Sequence, residues 1–188
     1  MNKVLLIMGS PRVKGNSNVM CSYFEQLLDN NNIPYDTCRV GLEKELKPCF
    51  HCRWCANTKH CFQKDMLYPF IRDFNDYDTI VIFTPIYFFQ FSGQTKICID
   101  RLGASSWKDK NIYLVSSSGS DDRMGGNDLL VESLVRTSEF NECYFKGYYN
   151  KVTNDLMLPI DDNDINALNG IVESIIESKV KSNEVKED

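Results

Sequence analysis

The chain has 188 residues, and 21 Lys and Arg against 26 Asp and Glu leave a net charge of −5, so it suits one domain with one core and offers no basic surface for a nucleic-acid backbone. No apolar stretch approaches the roughly 20 residues of a membrane-spanning helix, and the first apolar run lacks the flanking regions of a signal peptide; both observations predict a cytoplasmic protein with no nucleic-acid or membrane partner. In that reducing setting the eight cysteines are candidates for packing or metal ligation rather than disulfides.

Lys3 to Met8 is a nearly continuous apolar run, the pattern of a strand covered on both faces. It stops at Gly9-Ser10-Pro11-Arg12-Val13-Lys14-Gly15-Asn16-Ser17-Asn18. Val19, Met20, Tyr23, Phe24, Leu27 and Leu28 then recur at helical spacing until Asn30-Asn31-Asn32 and Pro34 end the helix. A strand that turns in this way into a helix aims free backbone N–H groups and the positive end of a helix dipole at one point, which suits a phosphate. Ser10, Ser17 and Asn18 add side-chain donors, and Arg12 adds a forked cation. The spacing matches neither the dinucleotide pattern G-x-G-x-x-G nor the triphosphate pattern G-x-x-x-x-G-K-[ST], which argues for a monophosphate. An ordinary strand-to-helix turn uses the same residue types.

Tyr35 to Val40 reads as a second strand, and Cys21 and Cys38 read as small buried hydrophobes. Glu43 to Lys64 is longer than a usual connection and holds four cysteines. Asp65 to Phe74 resumes a helical pattern, with Pro69 making its first turn irregular. Thr79 to Thr84 is the strongest strand, followed by an aromatic loop, Pro85-Ile86-Tyr87-Phe88-Phe89, whose side chains cannot all point inwards and which suits the lining of a site as well as core packing. Ser92-Gly93 opens a helix through Ile97, Ile99 and Leu102. Asn111 to Val115 is a fourth strand, ending in the polar loop Ser116-Ser117-Ser118-Gly119-Ser120. A helix follows Gly125-Gly126-Asn127. Glu142 to Tyr149 supplies a last strand with Cys143 packed, and a closing helix after Asp161-Asp162 buries Ile165, Leu168, Ile171, Val172, Ile175 and Ile176. Residues 1–178 thus read as one domain with a cysteine-rich loop at 47–64, and 179–188 as a charged, frayed tail.

Strands alternating with helices, the strands mostly unbroken apolar runs, predict an α/β fold: a doubly wound five-stranded parallel sheet with helices on both faces. In such a sheet the loops after the first four strands all emerge at the carboxyl edge, where ligands bind. The phosphate-type, cysteine, aromatic and serine loops would then share one edge.

Gly9-Ser10-Pro11-Arg12 with Gly15-Asn16-Ser17, Lys47-Pro48-Cys49, Pro85-Ile86-Tyr87 and Asp100-Arg101, in that order over nearly the whole chain, resemble the flavodoxin-like NADPH-dependent FMN reductase family. Within it, the chain is most similar to the iron-sulfur flavoproteins, which carry a compact cysteine run before the third strand. The resemblance implies an FMN-dependent oxidoreductase that takes electrons from NADH or NADPH and passes them to a small-molecule or protein acceptor. It implies that Ser10, Arg12, Asn16, Ser17 and Asn18 hold the FMN phosphate, and that Pro85, Ile86, Tyr87, Phe88, Ser117, Ser118 and Gly119 border the isoalloxazine ring. Glycines common in the family's aromatic and fourth loops are partly replaced here, by Phe88-Phe89-Gln90 and by Ser116 to Ser118, which bears on the face open to a second substrate.

Cys49, Cys52, Cys55 and Cys61 match that cysteine run and predict one 4Fe-4S cubane. Three cysteines at successive two-residue gaps reach three corners of a cube, as in bacterial ferredoxins, and with no second run Cys61 is free to close the same cluster. Structural zinc more typically uses two separated pairs. A reduced, cluster-free loop folded over the flavin is the competing reading, as are a flavin electron carrier without turnover and a zinc-stabilised binding module. His51 and His60 read as surface residues or as residues behind the ligands, and no catalytic acid, base or nucleophile stands out. The exposed apolar run Ile86 to Phe91 predicts a homodimer or a tetramer of dimers, and the resemblance implies the same.

Overall fold

The computed structural model describes residues 3–184 except 59, 104, 121, 155 and 156. The elements run β1 (Lys3–Met8), α1 (Asn16–Asn30), β2 (Tyr35–Cys38), α2 (Trp54–Thr58), α3 (Tyr68–Arg72), β3 (Tyr77–Tyr87), β4 (Gln90–Phe91), α4 (Gly93–Leu102), β5 (Asn111–Ser118), α5 (Asp122–Gly125), α6 (Asn127–Asn141), β6 (Tyr144–Val152) and α7 (Asp162–Glu184). Five strands pair in parallel in the order β2-β1-β3-β5-β6, and the two-residue β4 folds back antiparallel on the end of β3. The chain therefore has the predicted α/β, flavodoxin-like sheet, with its strand order reversing between β1 and β3. No helix among the described residues is long and apolar enough to cross a membrane.

Alternation along the strands builds the two faces. Leu5, Ile7, Ile80, Ile82, Ile112 and Leu114 pack towards Ile71, Cys98, Leu102, Leu130 and Leu134 from α3, α4 and α6. Val4, Leu6, Met8, Val81, Phe83, Tyr113 and Val115 pack towards Met20, Phe24 and Leu28 of α1 and Leu168, Val172 and Ile175 of α7. Because both faces are covered, the central strands β1, β3 and β5 are apolar at consecutive positions, and each such side chain contributes roughly 1.5–3 kcal/mol by leaving water. Cys21, Cys38 and Cys143 are buried as predicted, and Cys98 joins them.

Several boundaries differ from the sequence reading, each because pairing or packing overrides a local signal. The first three residues of the aromatic loop belong to β3, and Ser116 to Ser118 belong to β5: the ladder continues as Thr84 beside Ser116 and Pro85 beside Ser117, and on to Val152 beside Ser118 in β6. The turn is left to Phe88 and Phe89 alone, with φ of 48° and 63°. Positive φ at both central residues defines the hairpin turn usually built from Asn-Gly, and bulky residues adopt it at a cost. α1 starts at Asn16 rather than Asn18, and α3 is confined to five residues with Pro69 in its first turn. α7 runs on to Glu184 instead of fraying at Ser178; the rest of the predicted tail, 185–188, lies outside the described residues.

Candidate functional site

The carboxyl end of β1 is threaded between two other elements, and glycine is what permits it. A Cβ on Gly9 would stand 1.6 Å from Thr95 Oγ1 of α4, and one on Gly41, just after β2, would stand 2.3 Å from the Ser10 carbonyl oxygen. The buried Ser92 hydroxyl donates to the Gly9 carbonyl at 2.7 Å and accepts from Thr95 N at 3.3 Å, so the cap of α4 also pins the start of the loop. Thr95 Oγ1 in turn donates to Thr84 Oγ1 at 3.1 Å.

Beyond Gly9 the loop closes on itself. Arg12 N donates to Ser10 Oγ at 3.3 Å and Gly15 N to the Arg12 carbonyl at 3.0 Å. α1 then opens with Gly15 at its N-cap, with no side chain capping it and no acidic residue in its first turn. A 15-residue helix thus presents uncapped N–H groups and an uncompensated dipole to the cleft. Ser17 is buried there, its Oγ 2.9 Å from Ser117 Oγ at the end of β5.

The cleft, about 120 Å³, is lined by Ser10, Arg12, Gly15, Asn16 and Ser17 from the first loop, by Pro85, Ile86 and Tyr87 from β3, and by Ser117, Ser118 and Gly119 from β5. Ile86 and Gly119 also border an adjoining apolar recess of about 480 Å³ with Phe88, Phe89, Met124 and Gly125. One end is therefore polar and built for an anion, and the other is wide and apolar. This donor set fits a flavin mononucleotide: helix N–H groups, hydroxyls and the exposed Arg12 for a phosphate, the ends of β3 and β5 to border a planar ring, and an apolar recess beside them for a second substrate.

Two predicted residues are placed elsewhere. Asn18 turns away from the cleft: its amide donates to the Val13 carbonyl, and its Oδ1 accepts from Arg39 Nη1 at 2.9 Å, while Arg39 also grips Glu25 at 2.6 Å. Phe88 borders the recess rather than the polar cleft and is 97% exposed.

The sequence reading missed Thr153 and Met157, which also line the cleft. They follow β6, the one strand whose following segment was not counted at the carboxyl edge. Thr153 donates through N and Oγ1 to the Ser118 carbonyl, both at 2.9 Å, and Leu158 N donates to Asn16 Oδ1 at 2.8 Å, so the two ends of this segment strap it to the end of β5 and to the opening of α1. Its far end is fixed by buried Lys151, which pairs with Asp164 and donates to the Pro159 carbonyl at 2.9 Å.

Cys49, Cys52, Cys55 and Cys61 line a separate cavity of about 450 Å³ together with Gln63 and Arg101. All four are free thiols, Cys49 and Cys52 exposed and the other two half-buried. Among the described residues no three His, Cys, Asp or Glu side chains converge as metal ligands. His51 and His60 are exposed. The backbone between the first three cysteines is left-handed at His51 (φ 49°) and Arg53 (φ 63°), outside the regions their side chains prefer. Arg101 Nη2 donates to Cys61 Sγ at 3.7 Å. Burial opposes the charge of Arg101, but Asp65 and Cys61 outweigh it and hold its pKa above the usual value. Four thiols and a fixed cation around one cavity fit an anionic metal–sulfur group in donor type and charge.

Residues 2–135 match the family described as NADPH-dependent FMN reductase. An iron-sulfur flavoprotein of Archaeoglobus fulgidus is 28% identical over 134 residues, 69% of this chain and 67% of that protein. An iron-sulfur flavoprotein of Methanocaldococcus jannaschii is 29% identical over 99 residues, 53% of this chain and 51% of that protein, so the match spans about half of that relative's length. Among solved structures, an FMN-dependent NADH-azoreductase from Bacillus anthracis in complex with FMN superposes with a TM-score of 0.66 at 15% identity, covering 94% of this chain and 99% of that one. At that identity the likeness speaks for the fold.

Proposed function

The chain belongs to the NADPH-dependent FMN reductase family and is an oxidoreductase, and from that premise we propose that it binds FMN in the cleft at the β1/β3 switch point and moves electrons from a nicotinamide donor to a small-molecule or protein acceptor. The observation that carries this reading is the convergence of three strand ends and an uncapped helix on one cleft with a polar and an apolar end. When bound, FMN supplies two-electron hydride acceptance and single-electron release. The chain's part is binding and orientation. The N–H groups opening α1, the Ser10 and Ser17 hydroxyls and the Arg12 guanidinium hold the phosphate, while Asn16 keeps the strap at Leu158 in place. Pro85, Ile86 and Tyr87 with Ser117, Ser118 and Gly119 border the ring and limit water at its edge, and the recess beside Phe89 and Met124 receives the donor or acceptor.

Cys49, Cys52, Cys55 and Cys61 hold a 4Fe-4S cluster, which supplies a one-electron outlet that a simple quinone reductase does not need. A cluster-free FMN reductase is the second reading, favoured by the absence of converged ligands among the described residues. The eight thiols suit a reducing cytoplasm, and the aromatic tip at Phe88 suits burial against a second copy in a dimer or tetramer. The test is an anaerobic purification with flavin, iron and sulfide analysis, followed by mixing with NADH and separately with NADPH. Stoichiometric FMN that bleaches on mixing supports the reductase. Failure to take up iron and sulfide, with Cys52→Ala indistinguishable from wild type, leaves the cluster-free reading.

A further inference from the structure

Arg101 stands at the cysteine-lined cavity with a role that flavin binding does not account for. It is among the largest fully buried side chains of the described residues, and it is carried by α4. Nη1 pairs with the Asp65 carboxylate and donates to the Lys47 carbonyl at 3.4 Å; Nη2 donates to the Gln63 carbonyl at 3.3 Å and to Cys61 Sγ at 3.7 Å. Every one of these partners lies between residues 47 and 65, so one guanidinium ties together both ends of the cysteine loop. Its Nε–H has no partner among the described residues, and neither has Gln63 Oε1, although both residues are buried and line the cavity. A buried donor is rarely left unpaired unless something outside the polypeptide completes it.

We propose that Arg101 is a positioning residue for the metal–sulfur group: it fixes Cys61 as the anchored ligand around which the other three cysteines close, and its N–H···S hydrogen bonds raise the group's reduction potential. The inference rests on the cluster reading of the four cysteines. Reduction adds one electron, and so one negative charge, to the group. A nearby cation and N–H donors stabilise the reduced form more than the oxidised one, and hydrogen bonds to ligand sulfur act in the same direction. Burial strengthens the effect because little water screens it. Arg101 stays charged throughout and exchanges no proton. Asp65 opposes it: the carboxylate holds the guanidinium in place while partly cancelling its field.

The test uses anaerobically reconstituted wild type, Arg101→Gln, Arg101→Lys and Asp65→Asn. Iron, sulfide and FMN are assayed in each, and the cluster midpoint is read by titration with dithionite and mediators, followed by electron paramagnetic resonance. At the wild-type midpoint, Arg101→Gln is expected to show at least a tenfold higher ratio of oxidised to reduced cluster, equivalent to about 59 mV for one electron. Arg101→Lys shifts the same way by less, because the charge stays and the fork is lost. Asp65→Asn shifts the opposite way. That reversal of sign separates electrostatic tuning from simple support of the loop, which would lower cluster content in every variant without ordering the midpoints by charge. If Arg101→Gln does not hold the group, the other two variants decide. Loaded variants whose midpoints stay within twofold of the wild-type ratio overturn the role of Arg101 and leave the cluster standing. Wild type that binds no iron or sulfide overturns both.

Discussion

Gly9→Ala is the sharpest test of how the flavin loop is threaded. The new Cβ would fall 1.6 Å from Thr95 Oγ1, 3.0 Å from Thr95 Cβ and 3.1 Å from Ser92 Oγ. The first distance is impossible, so the Thr95 hydroxyl must leave, and both of its contacts go with it: Ser92 Oγ at 2.8 Å and Thr84 Oγ1 at 3.1 Å. Two buried neutral hydrogen bonds at about 0.5–1 kcal/mol each, plus roughly 1–2 kcal/mol of overpacking, give a destabilisation of about 2–4 kcal/mol. Thr95→Ala alone loses the same two bonds and costs about 1–2 kcal/mol. In the double variant the oxygen is already gone, and the remaining 3.0 Å contact yields to a shift of a few tenths of an ångström. Adding Gly9→Ala to Thr95→Ala should then cost under about 1 kcal/mol, an interaction of roughly 1–3 kcal/mol in the double-mutant cycle. Urea denaturation of all four proteins at one temperature reads this directly, provided the m-values agree. Additive effects, within about 0.5 kcal/mol, would refute the account of why glycine stands at position 9.

Arg12→Ala combined with Ser17→Ala should weaken FMN binding by about 2–5 kcal/mol, the usual net worth of a charge-assisted and a neutral hydrogen bond together; flavin fluorescence titration measures it, and unchanged affinity removes the loop from the phosphate site. Lys151→Met should leave the buried Asp164 carboxylate without its cation and cost about 3–5 kcal/mol of stability, with a loss of FMN affinity as well, because Thr153 and Met157 depend on the same anchor; thermal melts with and without FMN separate the two effects. Burial pushes the Asp36 carboxyl up, but hydrogen bonds from Lys3 and Tyr77 outweigh it and hold its pKa below the ordinary 3.8. Its contribution is therefore fully present above that value and is lost as pH falls through the lower folded value. At 39% exposure the effect is under about 1 kcal/mol, so Asp36→Asn should lower stability slightly at pH 7 and converge with wild type in the acid limb. A difference that grew towards low pH would contradict the assignment.

The parts of this protein that depend on neighbours in the chain were legible in its sequence. Both faces of the sheet are covered, so β1, β3 and β5 read as unbroken apolar runs, and their alternation with helical patterns specifies a parallel sheet whose loops gather at one edge. Gly9 and Gly15, with serines around them, mark a helix opening without a cap, which needs only local geometry to be recognised. What the tertiary structure alone decided are matters of register and of contacts between distant segments. Pro85 and Ser117 are strand residues because the ladder pairs them, despite turn-like composition. Asn18 is drawn off the cleft by Arg39, 21 positions away, and Phe88 is turned outward because β3 runs on to Tyr87 and leaves only two residues for the hairpin. Thr153 and Met157 enter the cleft through bonds to Ser118 that no periodicity announces. Arg101 enters the sequence reading only as part of the Asp100-Arg101 pair, and only the packing of α4 against the cysteine loop buries its charge against Cys61, because a side chain's surroundings in the core are set by which elements the sheet brings together and not by its neighbours along the chain.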